Sequence, residues 1–260
     1  MKIASWNING VKARLETVLT WLKEESPDIA CFQEIKSVDE NFPRQPFEEL
    51  GYNLETHGQK GFNGVALLSK RPFEEVNRRL PGDDSDEQAR YIEGVVAGDT
   101  QPVRFGCLYL PNGNPIETEK FPYKLSWMDR LHAHAMETLK KEEAFILLGD
   151  YNVIPQPEDA AKPEAWVGDA LFQPESRAKF RALLNLGFTE AIRATNKDAG
   201  VYTFWDYQAG AWQKNNGIRI DHLLLSPEAA SIMTGTGIDK HVRDWEKPSD
   251  HVPVWVNLAA

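Results

Sequence analysis

Cysteine is scarce in this 260-residue chain: there are two, Cys31 and Cys107, each inside an apolar run. So few cannot make a disulfide-stapled scaffold, and neither stands in a metal-binding spacing. Both are expected as buried free thiols in a reducing compartment. Long apolar runs are also missing, so no segment is expected to span a bilayer. The N-terminus, Met1-Lys2-Ile3-Ala4-Ser5-Trp6-Asn7, goes straight into a strand pattern without the apolar region of a signal peptide, and a cytoplasmic protein is expected. Basic residues are outnumbered, 29 Lys and Arg against 39 Asp and Glu, for a net charge of −10. That argues against binding nucleic acid by bulk electrostatics, although not against a nucleic-acid enzyme with its basic groups on one face. Low-complexity tracts, linkers and repeats are absent. One domain over residues 1–260 is plausible at this length.

What the chain does have is strand-like runs near 2–7, 28–34, 62–69, 91–97, 103–110, 144–149, 201–207, 219–225 and 252–258. Helical periodicity shows near 12–24, where Leu15, Val18, Leu19 and Leu22 share a face. It shows again near 123–140, through Leu125, Met128, Leu131, Ala135 and Leu139, and near 175–186. Strands outnumber helices, and the helices are scattered among them, which favours two packed sheets flanked by helices. Residues 35–60, 80–90, 111–122 and 153–174 read as long irregular stretches. Their place just after chemically loaded strands favours a functional role.

Polar residues end four of the apolar runs: Asn7, Glu34, Asp150 with Asn152, and Asp250-His251 at the entrance to the last. Taken singly, Glu34 reads as a strand-end carboxylate turning into solvent, Asn7 as a turn former and Gly149-Asp150-Tyr151-Asn152 as an Asx turn. Taken together, buried carboxylates and amides beside one imidazole suit Mg²⁺ or Mn²⁺ and a phosphoesterase. Asn7, Glu34, Asp150, Asn152, Asp250 and His251 are the candidate metal ligands. Two Asp-His dipeptides need separating, because neighbours in a strand point to opposite faces. His251 is assigned as the catalytic imidazole with Asp221 orienting it, and His222 as structural. Tyr109 ends its run as the carboxylates do, and its phenol suits donation to a phosphate oxygen. His57, His132, His134 and His241 read as surface or packing residues. The aromatic stretch 202–207, with Trp212 and Lys214 to Arg219 after it, suits stacking on sugar or base, although core packing explains part of it.

Assembled, the chain resembles the exodeoxyribonuclease III family of abasic-site endonucleases, its bacterial branch above all, within the deoxyribonuclease I-like endonuclease/exonuclease/phosphatase superfamily. The matching motifs are Ser5-Trp6-Asn7-Ile8-Asn9-Gly10, Phe32-Gln33-Glu34-Ile35-Lys36, Tyr109-Leu110-Pro111-Asn112-Gly113, Leu147-Leu148-Gly149-Asp150-Tyr151-Asn152-Val153, Gly217-Ile218-Arg219-Ile220-Asp221 and Glu246-Lys247-Pro248-Ser249-Asp250-His251-Val252-Pro253-Val254. They lie in the family's order and cover the chain end to end.

The resemblance implies a four-layer α/β/β/α sandwich of two mixed sheets flanked by helices, with the site at one edge of the sheets. It implies Glu34 as the main Mg²⁺ ligand, with Asp250 and Asn7 close to the metal, and Asp150 as proton donor or acceptor. Asn152 would position the water, while His251, oriented by Asp221, and Tyr109 would contact the scissile phosphate. Arg90 and Asn112 would touch the DNA backbone, and Phe204 and Ile218 would line an abasic-sugar pocket. The implied function is a monomeric Mg²⁺-dependent repair nuclease on double-stranded DNA, cutting 5′ of abasic sites and clearing 3′ ends as exonuclease, 3′-phosphatase or phosphodiesterase. Ile218 stands where some relatives carry tryptophan, and the 153–174 loop varies among relatives. Two other readings share the metal core: a phosphoesterase on a non-DNA ester, and a DNA-binding relative that has lost catalysis.

Overall fold

Alternation along the strands decides what each sheet buries. In β1 (Lys2–Asn7), Ile3 faces one way and Ala4 and Trp6 the other; in β8 (Ala144–Asp150), Ile146 and Leu148 oppose Phe145 and Leu147. The computed structural model describes residues 1–260. One sheet runs β11 (Met233–Ile238), β12 (Val254–Leu258), β1, β2 (Ile29–Gln33), β4 (Val65–Ser69) and β3 (Asn53–His57). The other runs β5 (Phe73–Arg78), β6 (Tyr91–Val96), β7 (Val103–Tyr109), β8, β10 (Asp221–Leu225) and β9 (Thr189–Glu190). Ile3, Cys31 and Leu67 of the first sheet and Phe105, Cys107, Ile146 and Leu223 of the second form the core between them. Both cysteines are buried free thiols, as the sequence leads one to expect.

Helices cover the outer faces, which completes the four-layer α/β/β/α sandwich. Against the first sheet lie α1 (Leu15–Glu25) and α2 (Arg44–Glu49), whose Trp21 and Phe47 flank Phe32. Against the second lie α3 (Lys120–Leu139) and α4 (Pro174–Asn185), through Trp127, Met128, Leu131 and Phe180. Two short helices, α5 (Ala191–Thr195) and α6 (Pro227–Ser231), follow β9 and β10. No helix is long and apolar enough to cross a membrane.

In each sheet one neighbouring pair is parallel, β1 with β2 and β7 with β8, and all the other pairs are antiparallel. A parallel pair needs a crossover, and α1 and α3 supply the two. Each crossover brings two strand C-termini to the same edge, so the ends of β1, β2, β7 and β8 gather there. Strands β10 and β12 run the opposite way and begin at that edge, which brings Asp221 and the Asp250-His251 entrance to it.

Several elements differ from expectation. No strand forms over 201–207; Phe204 makes isolated bridges to Ile218 and His251, and the Thr203 hydroxyl accepts from the N–H groups of Ile220 and Asp221. The supposedly irregular 35–60 holds α2 and β3. Strands β5 and β11 escape the pattern because they are edge strands, polar in one case (FEEVNR) and glycine-rich in the other (MTGTGI). The buried face of α3 is centred on Lys124, Trp127, Leu131 and Ala135 rather than on Leu125. His134, read as a surface or packing residue, packs on Tyr91 and also meets Glu93 at 2.8 Å, and Glu93 takes Arg104 and Tyr91 as well.

Strand alternation separates Asp221 from His222 as expected. His222 packs on the outer face against Tyr151 and Phe180; its Nε2–H donates to the Val153 carbonyl and its Nδ1 accepts from Arg219. Burial first, and the Arg219 charge second, hold it down to about 4 from an ordinary 6.5. Its folded pKa lies below the unfolded one, so its contribution to stability is lost as pH falls from about 6.5 toward about 4. The stability advantage of the parent over His222→Phe should therefore shrink between pH 7.5 and 4.5 in thermal unfolding, and an advantage independent of pH would contradict it.

Candidate active site

The gathered edge carries chemistry because the inward face of each strand ends on a polar group. Asn7 ends β1 and Asp150 ends β8, both buried. The Asn7 amide Nδ2 donates to Glu34 Oε1 at 2.9 Å and to Asp150 Oδ2 at 3.0 Å, joining the two sheets. Its Oδ1 accepts the Asn9 N–H. Glu34 follows β2 with φ of 50°, and Asn152 follows β8 with φ of 47°. Left-handed backbone is unusual at a non-glycine residue and tends to mark sites where structure is held for function. Gly149 remains within β8 rather than opening a turn. A Cβ there would lie 1.9 Å from the Leu108 carbonyl oxygen, so glycine lets β8 close on β7 just before Asp150.

Asp150 and Asp221 are register partners across β8 and β10. His251 Nδ1–H donates to Asp221 Oδ2 at 2.8 Å, and its Nε2 lies 3.5 Å from Asp150 Oδ2. The side-chain polar atoms of Asp150, Asp221 and His251 fall within 4.8 Å of one another. Burial pushes Asp150 up to about 7, and the Asp221 charge adds to it. Burial works against the His251 cation, but Asp221 and then Asp150 outweigh it and raise the imidazole to about 10. For Glu34 burial is likewise overcome, by Asn7 and Lys36, and its pKa is lowered. Burial, with Glu34 and Asp150 nearby, keeps the Tyr109 phenol protonated. Asp221 Oδ1 is buried without a partner.

The expected residues line one cleft of about 250 Å³: Glu34, Tyr109, Asn112, Asp150, Asn152, Phe204, Asp250 and His251. Asp250 Oδ1 meets Asn9 Nδ2 at 3.3 Å. Arg90 lies beside it, its guanidinium over the Tyr109 ring and donating to the Tyr109 carbonyl. Ile218 is buried and lines an adjoining cavity. Trp212 is not among the residues of either cavity; its indole packs edge-on against Trp205 and donates to Asp244.

One further site residue, Lys124, carries no sequence signal of its role. Lys124, wholly buried, donates to the carbonyls of Asn112 (3.0 Å) and Asn152 (2.5 Å). Its stem passes under Gly113, where a Cβ would stand 2.7 Å from Lys124 Cδ. Asn152 is thus held at three atoms, since its N–H donates to Asp150 and its Nδ2 to the Leu110 carbonyl. A lysine within a helical apolar face shows itself only through the periodicity it occupies, so its function is invisible before folding. Trp166 and Asp169, from the loop after β8, also line the cleft.

Asp150 has a folded pKa above its unfolded value, so it weakens the fold as pH rises from about 4 to about 7. Asp150→Asn should raise the melting temperature more at pH 8 than at pH 5 in chelator-treated buffer, because at pH 5 only the first part of that loss has occurred. Equal effects at both pH values would contradict the buried-charge account.

With the geometry established, comparison places the chain among known proteins. Residues 4–251 match the endonuclease/exonuclease/phosphatase family. Exodeoxyribonuclease III of Haemophilus influenzae is 35% identical over 99% of this chain and 100% of its own. An AP endonuclease from Archaeoglobus fulgidus superposes with a TM-score of 0.94 at 35% identity, with complete coverage of both chains. A 3′ phosphatase from Neisseria bound to product DNA hairpin superposes at 0.96 and 33% identity, again over both entire chains. The family match over residues 4–251 and the full-length identity to exodeoxyribonuclease III, found on a sandwich whose strand ends gather carboxylates, amides and one imidazole, make this chain a member of the endonuclease/exonuclease/phosphatase family.

Proposed function

We propose that the protein is a divalent-metal-dependent DNA repair nuclease that acts as a single-domain monomer on duplex DNA. It cuts the phosphodiester 5′ of abasic sites and clears nucleotides or blocking groups from 3′ ends. The observation that carries this reading is the convergence of Glu34, Asp150, Asp250 and the Asp221–His251 pair in one cleft. The names of the relatives, an exodeoxyribonuclease, an AP endonuclease and a 3′ phosphatase, support DNA as the substrate.

The donor set fits a hard cation: carboxylate and amide oxygens dominate, no thiolate is near, and the one imidazole already gives its Nδ1–H to Asp221. Glu34, with Asn7 and Asp250 beside it, would hold Mg²⁺ or Mn²⁺. Bound there, such an ion would supply positive charge against that building up on the phosphate. The protein's own groups handle the rest. Asp150, raised to about 7, takes the proton of the attacking water. Asn152, pinned by Lys124 and Leu110, orients that water. His251, cationic and aimed by Asp221, donates from Nε2 to a non-bridging oxygen, and the Tyr109 phenol donates to another. An abasic residue enters cheaply because no base has to be unstacked.

A duplex carrying one abasic analogue should be nicked 5′ of it with Mg²⁺ and left whole with chelator. No incision with the metal present would sink the proposal. His251→Ala should lower kcat on the order of 10²–10⁴-fold, and Glu34→Ala should remove turnover, each with a native circular-dichroism spectrum. Parent-like cleavage by either variant would refute the role given to it.

A further inference from the structure

A sheet edge leaves a row of backbone N–H and C=O groups without a strand partner, and folded proteins blunt such edges. Three of the four edges here are blunted. Strand β5 (FEEVNR) is charged, β9 is two residues long, and β3 is covered by Arg78, which donates to the Thr56 carbonyl and pairs with Glu55. Strand β11 (MTGTGI) is six residues long and uncharged, and β12 is its one neighbour. A slot of about 860 Å³ opens against it, larger than either cavity at the catalytic edge. Residues 234–238 of β11 all line that slot, in unbroken succession. Successive side chains point to opposite faces, so five in a row mean that the slot follows the edge of the strand, over about 17 Å.

The backbone groups along that edge are free to pair. Asp239 donates its N–H to the Pro253 carbonyl, and antiparallel bonding alternates, so Gly237 and Gly235 also face β12. Thr236 and Ile238 therefore turn their N–H and C=O groups into the slot. The opposite wall is formed by 195–198 and 200–202, and no backbone hydrogen bond joins the two walls. They touch through the Thr195 and Thr236 hydroxyls. Thr195 also has the Ala191 and Ile192 carbonyls as acceptors, so an incoming strand can part that contact without orphaning it.

We infer that the slot is a docking site for an extended, acidic segment of a partner protein, which adds beside β11 as a seventh strand of the first sheet. The wall at 195–202 selects the kind of partner. In a second folded copy β11 lies in a slot of its own and cannot enter, whereas a single extended chain can. Charge selects further: the whole chain carries −10, yet the charged residues of the slot are Lys197, Lys240 and Asp198, a local excess of one positive. Lys240 stands over the Trp205 ring, 5.4 Å from its centroid. Ile192, Val201 and Ile238 supply apolar surface for alternate side chains of the added strand. Two lysines offer little to duplex DNA, whose binding needs many phosphate contacts. The slot shares no residue with the catalytic cleft, so its occupation leaves that cleft open.

The test follows the fluorescence anisotropy of a labelled nine-residue peptide, valine alternating with glutamate, as the full-length protein is added. The parent should bind it, and should bind a version with lysine for glutamate about tenfold more weakly, since like charges then oppose. Gly235→Glu sets a like charge against the acidic peptide at a position where a Cβ meets nothing within 4 Å. Thr236→Pro removes an outward N–H, a change that edge strands tolerate. Each variant should weaken binding about tenfold, the order of one or two backbone hydrogen bonds, with a native circular-dichroism spectrum. Should Thr236→Pro not fold, Gly235→Glu carries the comparison alone. Bound peptide should also slow amide exchange at Thr236 and Ile238 in the parent. No binding of the acidic peptide by the parent, equal binding by Gly235→Glu, or equal binding of the lysine peptide would overturn the inference. So would a parent that sediments as a dimer and becomes monomeric as Gly235→Glu, which would give the edge to a second copy.

Discussion

Asp150 is a carboxylate with almost no access to water, set where two sheets meet, and the surroundings of that group explain much of the rest. Removing a carboxylate from water costs several kcal/mol unless charge or donors compensate. Here the compensation comes from both halves of the molecule. Asn7 donates across from the first sheet, the Asn152 N–H donates from the chain that follows, and His251 stands close with its cation maintained by Asp221. The balance is incomplete, and the carboxyl is left titrating near neutrality, where a proton acceptor is most useful.

That arrangement depends on the connectivity of the sheets. Two parallel pairs, each closed by a helical crossover, bring four strand ends to one edge, and two antiparallel strands start there. Groups hundreds of residues apart then share a hydrogen-bond network: the Trp6 indole donates to the His251 carbonyl, and the Ser249 hydroxyl to that of Asn7. Local devices maintain the precision. Gly149 permits close approach of β7 and β8, Gly113 admits the stem of Lys124, and Lys124 ties the loops after β7 and β8 by their carbonyls. A buried ammonium held by carbonyls alone is an expensive clamp. Burial lowers it to about 7, and the nearby Asp150 and Asp169 charges work against that fall.

The strands that carry Asn7, Glu34, Tyr109 and Asp150 were legible because each is a short apolar run stopped by a polar residue. The helix faces of α1 and α4 were legible from spacing. The misses have a common physical origin. Edge strands β5 and β11 are exposed on one side and need no apolar alternation, so their sequences resemble loops. The segment 201–207 is apolar like a strand, yet its backbone is engaged by Ile218, Asp250 and Val252 instead of by a ladder. His134 and Glu93 lie 41 residues apart, and no spacing rule reaches that far.

Apolar periodicity and strand-end polarity, both local properties of the chain, were enough to identify the layers, the chemical type of the site and the separation of Asp221 from His222. Alternation is a consequence of backbone geometry and holds wherever the strand ends up. Which groups touch was decided by the tertiary structure: the Asn7 bridge between Glu34 and Asp150, the aim of His251, and the clamp of Lys124. The same holds for Trp166, rather than Trp212, at the cleft. Those contacts join residues brought together by crossovers and by packing of two separate sheets, and their energies depend on distance and burial, neither of which exists before the chain has folded.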